Sequence, residues 1–125
     1  MAAPNIVNVA SILGITTAVG LGTTAVTTFL SNASASGKVL KINTVVAAGL
    51  ATVSADITVK DHLAAAGAGT SIAVANTITV PASSSLVIIG KDNPIYLEEN
   101  RSLTAKASSA NSIAIICSYE EIGEV

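Results

Sequence analysis

The sequence predicts an all-β protein: a single antiparallel β-sandwich or jelly-roll-like domain with an extended N-terminal arm. Three observations carry this. Apolar and polar residues alternate with period two in one run after another, from Lys38 to Tyr119. Polar turn signals separate the runs at roughly ten-residue spacing, the rhythm of sandwiches and jelly rolls. Helical signals are weak: threonine pairs and β-branched residues crowd residues 10–30. A length of 125 residues holds one domain with a real core. We divide it into an arm, 1–12, and a sandwich, 13–125.

Taken in order, Asn5-Ile-Val-Asn-Val9 reads as a strand. Residues 10–30 contain six Thr and three Gly, too interrupted for a membrane-spanning helix and better read as strands. Ile12 to Leu21 and Thr23 to Leu30 suit a hairpin around Gly20 and Gly22. Alternatively, the first dozen residues form an arm that adds a strand to a neighbour's open sheet. From Lys38, alternation sets Leu40, Ile42 and Val46 on one face, with Lys41, Asn43 and Val45 on the other. Val53, Ala55, Ile57 and Val59 then alternate with Ser54, Asp56, Thr58 and Lys60. Ile72, Val74, Ile78 and Val80 form the next apolar set, stopped by Pro81, which has no N–H to offer a ladder. Leu86 and Ile88 follow a serine-rich turn. Gly90-Lys-Asp-Asn-Pro94 has strong turn chemistry. Leu103, Ala105 and Ala107 make one strand face; Ile113, Ile115, Cys117 and Tyr119 make the last. A short helix competes over Val59–Gly67, but Gly67 and Gly69 close it, and a single turn or loop is expected there.

Half the residues are apolar and 11% are charged, against about 25% in a typical soluble domain. Phe29, Tyr96 and Tyr119 are the only aromatics, so Val, Ile, Leu and Ala must build the core. A surface this poor in charge favours association, and we expect much of it to be covered by other chains. Net charge is −2. The six basic residues, Lys38, Lys41, Lys60, Lys91, Arg101 and Lys106, are scattered without an aromatic-laced basic stripe, which argues against nucleic acid as a partner. No membrane partner is expected either. Met1 to Asn8 has no Lys or Arg, so it does not read as a secretory signal. The lone Cys117 excludes an internal disulfide and a cysteine metal cluster, and reads as a small buried hydrophobe.

Reactive constellations are absent from the pattern. His62, the single histidine, stands beside Asp61 without a nucleophile of the expected type, and is read as a solvated loop or interface residue. Glu98–Glu99 and Glu120–Glu121 are adjacent pairs, so on strands their side chains diverge. They read as polar strand ends or as partners for Arg101 and the lysines. Asp56, Asp61 and Asp92 lack calcium-loop spacing. The Gly20-x-Gly22 and Gly67-x-Gly69 pairs lack the helix that a phosphate site needs. We therefore expect no catalytic residues, metal or cofactor, and no enzyme activity.

Several segments resemble a family of small structural proteins from virions of marine contractile-tailed (myovirus) cyanophages. These are Met1 to Val9, Ser36 to Asn43, Ile78 to Pro81, Ile95 to Glu99 and Cys117 to Ile122. The chain departs from the family at Val59–Thr70, a Gly/Ala-rich loop where a more polar strand is expected. The resemblance implies a β-rich virion component: most simply a capsid decoration (cement) protein, otherwise a tail, neck or fibre adaptor. It implies assembly in a host cytoplasm and, as partners, copies of itself (a trimer being one form) and the major capsid protein or other virion proteins. Exposure logic places the subunit interface at Pro4, Asn5, Ile6, Val7, Val9, Ile12, Lys91, Asp92 and Tyr96.

Overall fold

The structure, a computed structural model, describes residues 9–124, with side chains from 11 to 123. It is an all-β sandwich. Nine strands run in chain order: β1 (Val9–Gly20), β2 (Thr27–Asn32), β3 (Lys38–Gly49), β4 (Ala55–His62), β5 (Ser71–Val80), β6 (Ser85–Ile89), β7 (Ile95–Leu97), β8 (Arg101–Ala107) and β9 (Ile113–Glu124). One sheet has the order β1-β9-β3-β6, with the short β7 also paired to β3; the other has the order β2-β8-β4-β5. All pairs are antiparallel. Apart from β7, these strand orders are those of the two four-stranded sheets of a jelly roll.

The core is aliphatic, as the composition demands. Ile42, Val45 and Ala47 of β3 and Ile113, Ile115 and Cys117 of β9 meet Ile57 and Val59 of β4 and Leu103, Ala105 and Ala107 of β8 across the sandwich. On β8 and β9 the apolar residues that alternation turns inward are buried, Tyr119 partly so, but Ser102 and Thr104 on the opposite face of β8 are buried as well. On β3 it is not. The pairing of β3 with β9 shifts register between Ile42 and Thr44. That bulge at Asn43 turns Val45 inward and Val46 outward, the reverse of the simple period. Likewise β5 carries two register shifts against β4. Ile72 and Ile78 are exposed, and Val80 alone of its apolar set is fully buried.

Two further expectations are corrected. The 12–30 region is not a hairpin: β1 pairs with β9 in one sheet and β2 with β8 in the other, because Leu21–Val26 crosses between layers and Leu21 itself is buried. His62 is not in a solvated loop. It ends β4, is buried, and shares a 2.8 Å hydrogen bond through Nε2 with Thr104 Oγ1. What buries it is the Gly/Ala-rich segment, which lies over the outer face of the second sheet as one 3-10 turn at Ala65–Gly67. Side chains pin that turn: Ser102 Oγ donates to Ala64 O (2.7 Å) and accepts from Gly67 N (2.8 Å), and Ser31 Oγ accepts from Ala66 N (3.0 Å). Gly67 has φ +73°, and a Cβ there would come within 2.7 Å of Thr28 Oγ1. Only glycine suits both the left-handed backbone and the close approach.

Cys117 is fully buried in the core. Burial pushes its thiol up to about 11, from 9.0. The neutral thiol is thus favoured in the fold, and this contribution to stability is full below pH 9. As pH rises from 9 toward 11 the unfolded chain ionises first, so the contribution is lost. We expect the alkaline decline in stability over that window to diminish in a Cys117→Ala variant. An aromatic disulfide reagent at neutral pH should leave the folded thiol unmodified until denaturant is added.

Candidate interaction surface

The two outer faces of the sandwich differ in chemistry. On the second sheet, Asp56, Thr58 and Lys60 of β4 and Lys106 of β8 point outward beside Thr24 and Thr77. They line shallow clefts of about 390 and 270 Å³. This is a solvated, hydrogen-bonding face, and Asp56 accepts a bond from Thr79 Oγ1 at 2.9 Å. Nothing in it pairs a nucleophile with a base. Among the described residues two ion pairs sit on the rim: Lys38–Glu121 at 2.9 Å and Arg101–Asp61 at 3.0 Å. The carboxylates therefore serve partly as the sequence suggests, although Arg101 chooses Asp61 and not a glutamate. Asp61 Oδ1 and His62 Nδ1 are buried without a hydrogen-bond partner. Among the described residues, no three His, Cys, Asp or Glu side chains converge as a metal site would require.

The outer face of the first sheet is built by register. Ala18, Ile116, Val46 and Val87 lie in one cross-strand row through β1, β9, β3 and β6. The next row toward one end is Gly20, Ala114, Ala48 and Ser85; toward the other it is Thr16, Ser118 and Thr44. These residues face outward because their strand neighbours Val45, Ala47, Ile113, Ile115 and Cys117 are wholly buried. No charge interrupts the three rows, an area of roughly 300–400 Å² from strand spacing. Patches of this size are often contact sites. Charge returns only in the following row, Gly14, Glu120, Lys41 and Tyr96, where Asn43 Nδ2 donates to Glu120 Oε1 at 3.1 Å.

Of the expected interface residues, Pro4, Asn5, Ile6 and Val7 lie outside the described residues. Val9 and Ile12 belong to β1, whose first residues pair with the end of β9, and Ile12 is 55% exposed. Lys91 and Asp92 are exposed in the turn between β6 and β7, and Tyr96 is exposed on β7. The fold thus sets Ile12 and Tyr96 on opposite edges of one sheet and does not bring them together. Between them run Gly14, Glu120 and Lys41; the uncharged face lies beside that row, toward Gly20, and alternation alone missed it. The absence of charge in the first 37 residues signals only its β1 part, Thr16, Ala18 and Gly20.

No protein-family model matches the chain, and no curated protein matches it in sequence. Two of the solved structures that are similar in fold are as follows. One comes from Bacillus endospore appendages, described as a novel family of disulfide-linked pili. It has a TM-score of 0.53 and 12% identity, and the match covers 92% of this chain and 90% of that one. The other comes from the T13 IBDV viral particle, with a TM-score of 0.52 and 12% identity over 93% of this chain. Here the chain spans about a third (32%) of its neighbour's length. At such identity the likeness concerns the fold alone.

Proposed function

We propose that this chain is a non-enzymatic structural subunit of a phage virion, and within that class a capsid decoration (cement) protein. The observation that carries the reading is the uncharged outer face of the first sheet, continuous with the uncharged strand β1. Such a surface gains by being covered, and many copies docked on a coat lattice would cover it. The stabilisation would come from area buried across coat subunits, so that internal pressure must break these contacts too. Both fold neighbours come from repeating assemblies, a pilus and a viral particle, which supports a structural role. The resemblance to cyanophage virion proteins supports the same class. A disulfide is not the linkage proposed here: Cys117 is the one cysteine of the sequence and lies in the core. A sugar-binding tail fibre is the weaker reading. Phe29 is buried, Tyr119 is partly covered, and Tyr96 is left as the one exposed aromatic.

The test is to count copies per major coat subunit in purified particles by quantitative mass spectrometry. A simple fraction near one supports decoration of the head. A ratio of about a hundredth, as for a unique vertex, supports a tail or neck adaptor instead. In parallel, a chain lacking residues 1–8 keeps β1 whole. We expect it to fold with an unchanged β spectrum and to lose particle occupancy; undiminished occupancy would remove residues 1–8 of the arm from the docking scheme.

A further inference from the structure

We propose that β1 is a self-complementary docking edge. Two copies of this chain pair β1 with β1, antiparallel about a two-fold axis perpendicular to the sheet, and so fuse their first sheets into one.

Every sheet has two edges, and free edges are normally blunted by charge, proline, bulges or shortness. Here the edges differ sharply. β5 is interrupted by two register shifts and by Thr77, a β-branched residue at φ +51°. β2 has six residues and a shift between Thr28 and Leu30. β6 and β7 have five and three residues and flank the Lys91-Asp92-Asn93-Pro94 turn. Past one register shift between Val9 and Ser11, β1 has none of these devices. From Ser11 to Gly20 its register with β9 is unbroken, and the run contains no charge and no proline. Among the described residues its other edge pairs with nothing. A straight edge needs a straight partner, and β1 is the one long regular edge described. An uncharged strand can also oppose itself without like-charge repulsion.

The glycines of β1 are a second, independent observation. A Cβ added at Gly14 or Gly20 would have no atom within 4 Å, and neither residue has a positive φ. Nothing inside the subunit requires glycine there, although glycine weakens a strand. Glycine at such a place marks close approach by another backbone. Ile12 and Leu13, each more than half exposed, would be covered by the same contact. Face matching restricts the register. Ile15, Thr17 and Val19 lean toward the core side and must oppose their own kind. Centring on Ile15 sets Leu13 opposite Thr17 and Ser11 opposite Val19, while Ile12 meets Ala18 and Gly14 meets Thr16. The pairing is independent of where in a virion the chain sits.

Amide exchange of the full ¹⁵N-labelled chain, with sedimentation over a concentration series, tests this. β1 amides alternate between β9 and the free edge. We expect a dimer in which every amide from Ser11 to Gly20 is protected. On dilution to monomer, alternate amides should exchange at least about tenfold faster, as expected for an opened ladder. Filtered intermolecular NOEs in a mixed-label sample should join Leu13 to Thr17. Thr16→Lys should give a monomer with retained β spectrum. A monomer at all concentrations, an oligomer with alternate β1 amides unprotected, NOEs from β1 to another strand, or a folded Thr16→Lys that still associates would each overturn the proposal. Should Thr16→Lys not fold, exchange and NOEs on the unaltered chain decide.

Discussion

Replacing Gly49 with alanine is expected to cost about 3 kcal/mol, at the upper end of overpacking effects, and to lower Tm by roughly 10 °C in a domain of this size. Gly49 ends β3 where the chain passes from β5 to β6, that is, from one sheet to the other. Its N–H donates to Ser84 O at 2.6 Å. A Cβ at this position would meet Pro81 O at 2.5 Å, Ser84 O at 3.1 Å and Val80 Cγ1 at 3.3 Å. Two of these are backbone atoms, so no rotamer change can relieve them. Relief requires the Pro81–Ser84 turn to move off β3, which would also weaken the short pairing of β3 with β6. Thermal melts and urea titration of Gly49→Ala check this. A Tm within about 2 °C of the parent, less than the shift from 1 kcal/mol, would mean that the turn yields freely. By contrast, Gly14→Ala has open space for its Cβ. It should not destabilise the monomer, so the pair separates a glycine needed inside the fold from one that is not.

Much of this fold is written as alternation, and its failures have identifiable causes. β8 and β9 are legible because a regular ladder maps period two onto a core face and an outer face, although Ser102 and Thr104 on the outer face of β8 are also buried. β3 is legible as a strand but not in its faces, since one inserted residue at Asn43 inverts every assignment after it. β5 reads as a strong half-buried strand, yet Ile72 and Ile78 stay exposed because an edge strand with two bulges has no fixed core face. The hairpin expected over residues 12–30 failed for a topological reason. Local pattern identifies strands, but the partner of β1 lies about a hundred residues away in β9, a distance that period and turn signals cannot bridge. His62 was misread because the segment that buries it, Ala64–Gly69, has the composition of a loop. Its fixing depends on Ser31, Asn100 and Ser102 from other elements. The candidate surface was legible only in aggregate, as a shortage of charge. Registers of four strands were needed to gather Ala18, Ile116, Val46 and Val87 into one row.

Asn32→Ala should destabilise by about 2–4 kcal/mol, the cost of leaving one buried and one part-buried acceptor unpaired. Asn32 closes β2 in the second sheet and is nearly wholly buried. Its Nδ2 donates to Lys38 O at 2.9 Å and to Leu97 O at 3.0 Å, carbonyls that belong to β3 and β7 of the first sheet. Its Oδ1 accepts from Ser36 Oγ at 2.6 Å. One side chain therefore ties the two sheets together at the end of the sandwich and holds the Ala33–Gly37 turn. Alanine removes every one of these bonds and admits no replacement from the aliphatic core. Asn32→Asp distinguishes lost donors from lost volume. The side chain keeps its size but at neutral pH turns an acceptor toward two carbonyls, so Asn32→Asp should be less stable than Asn32→Ala. Burial and the facing carbonyls favour the protonated carboxyl, so its folded-state pKa is raised. Stability of Asn32→Asp should therefore recover as pH falls, where the O–H can donate to one carbonyl. Parallel urea titrations of both variants at pH 7 and in mild acid give the result. If Asn32→Asp matches the parent at pH 7, the two donated hydrogen bonds are not what joins the sheets at this end.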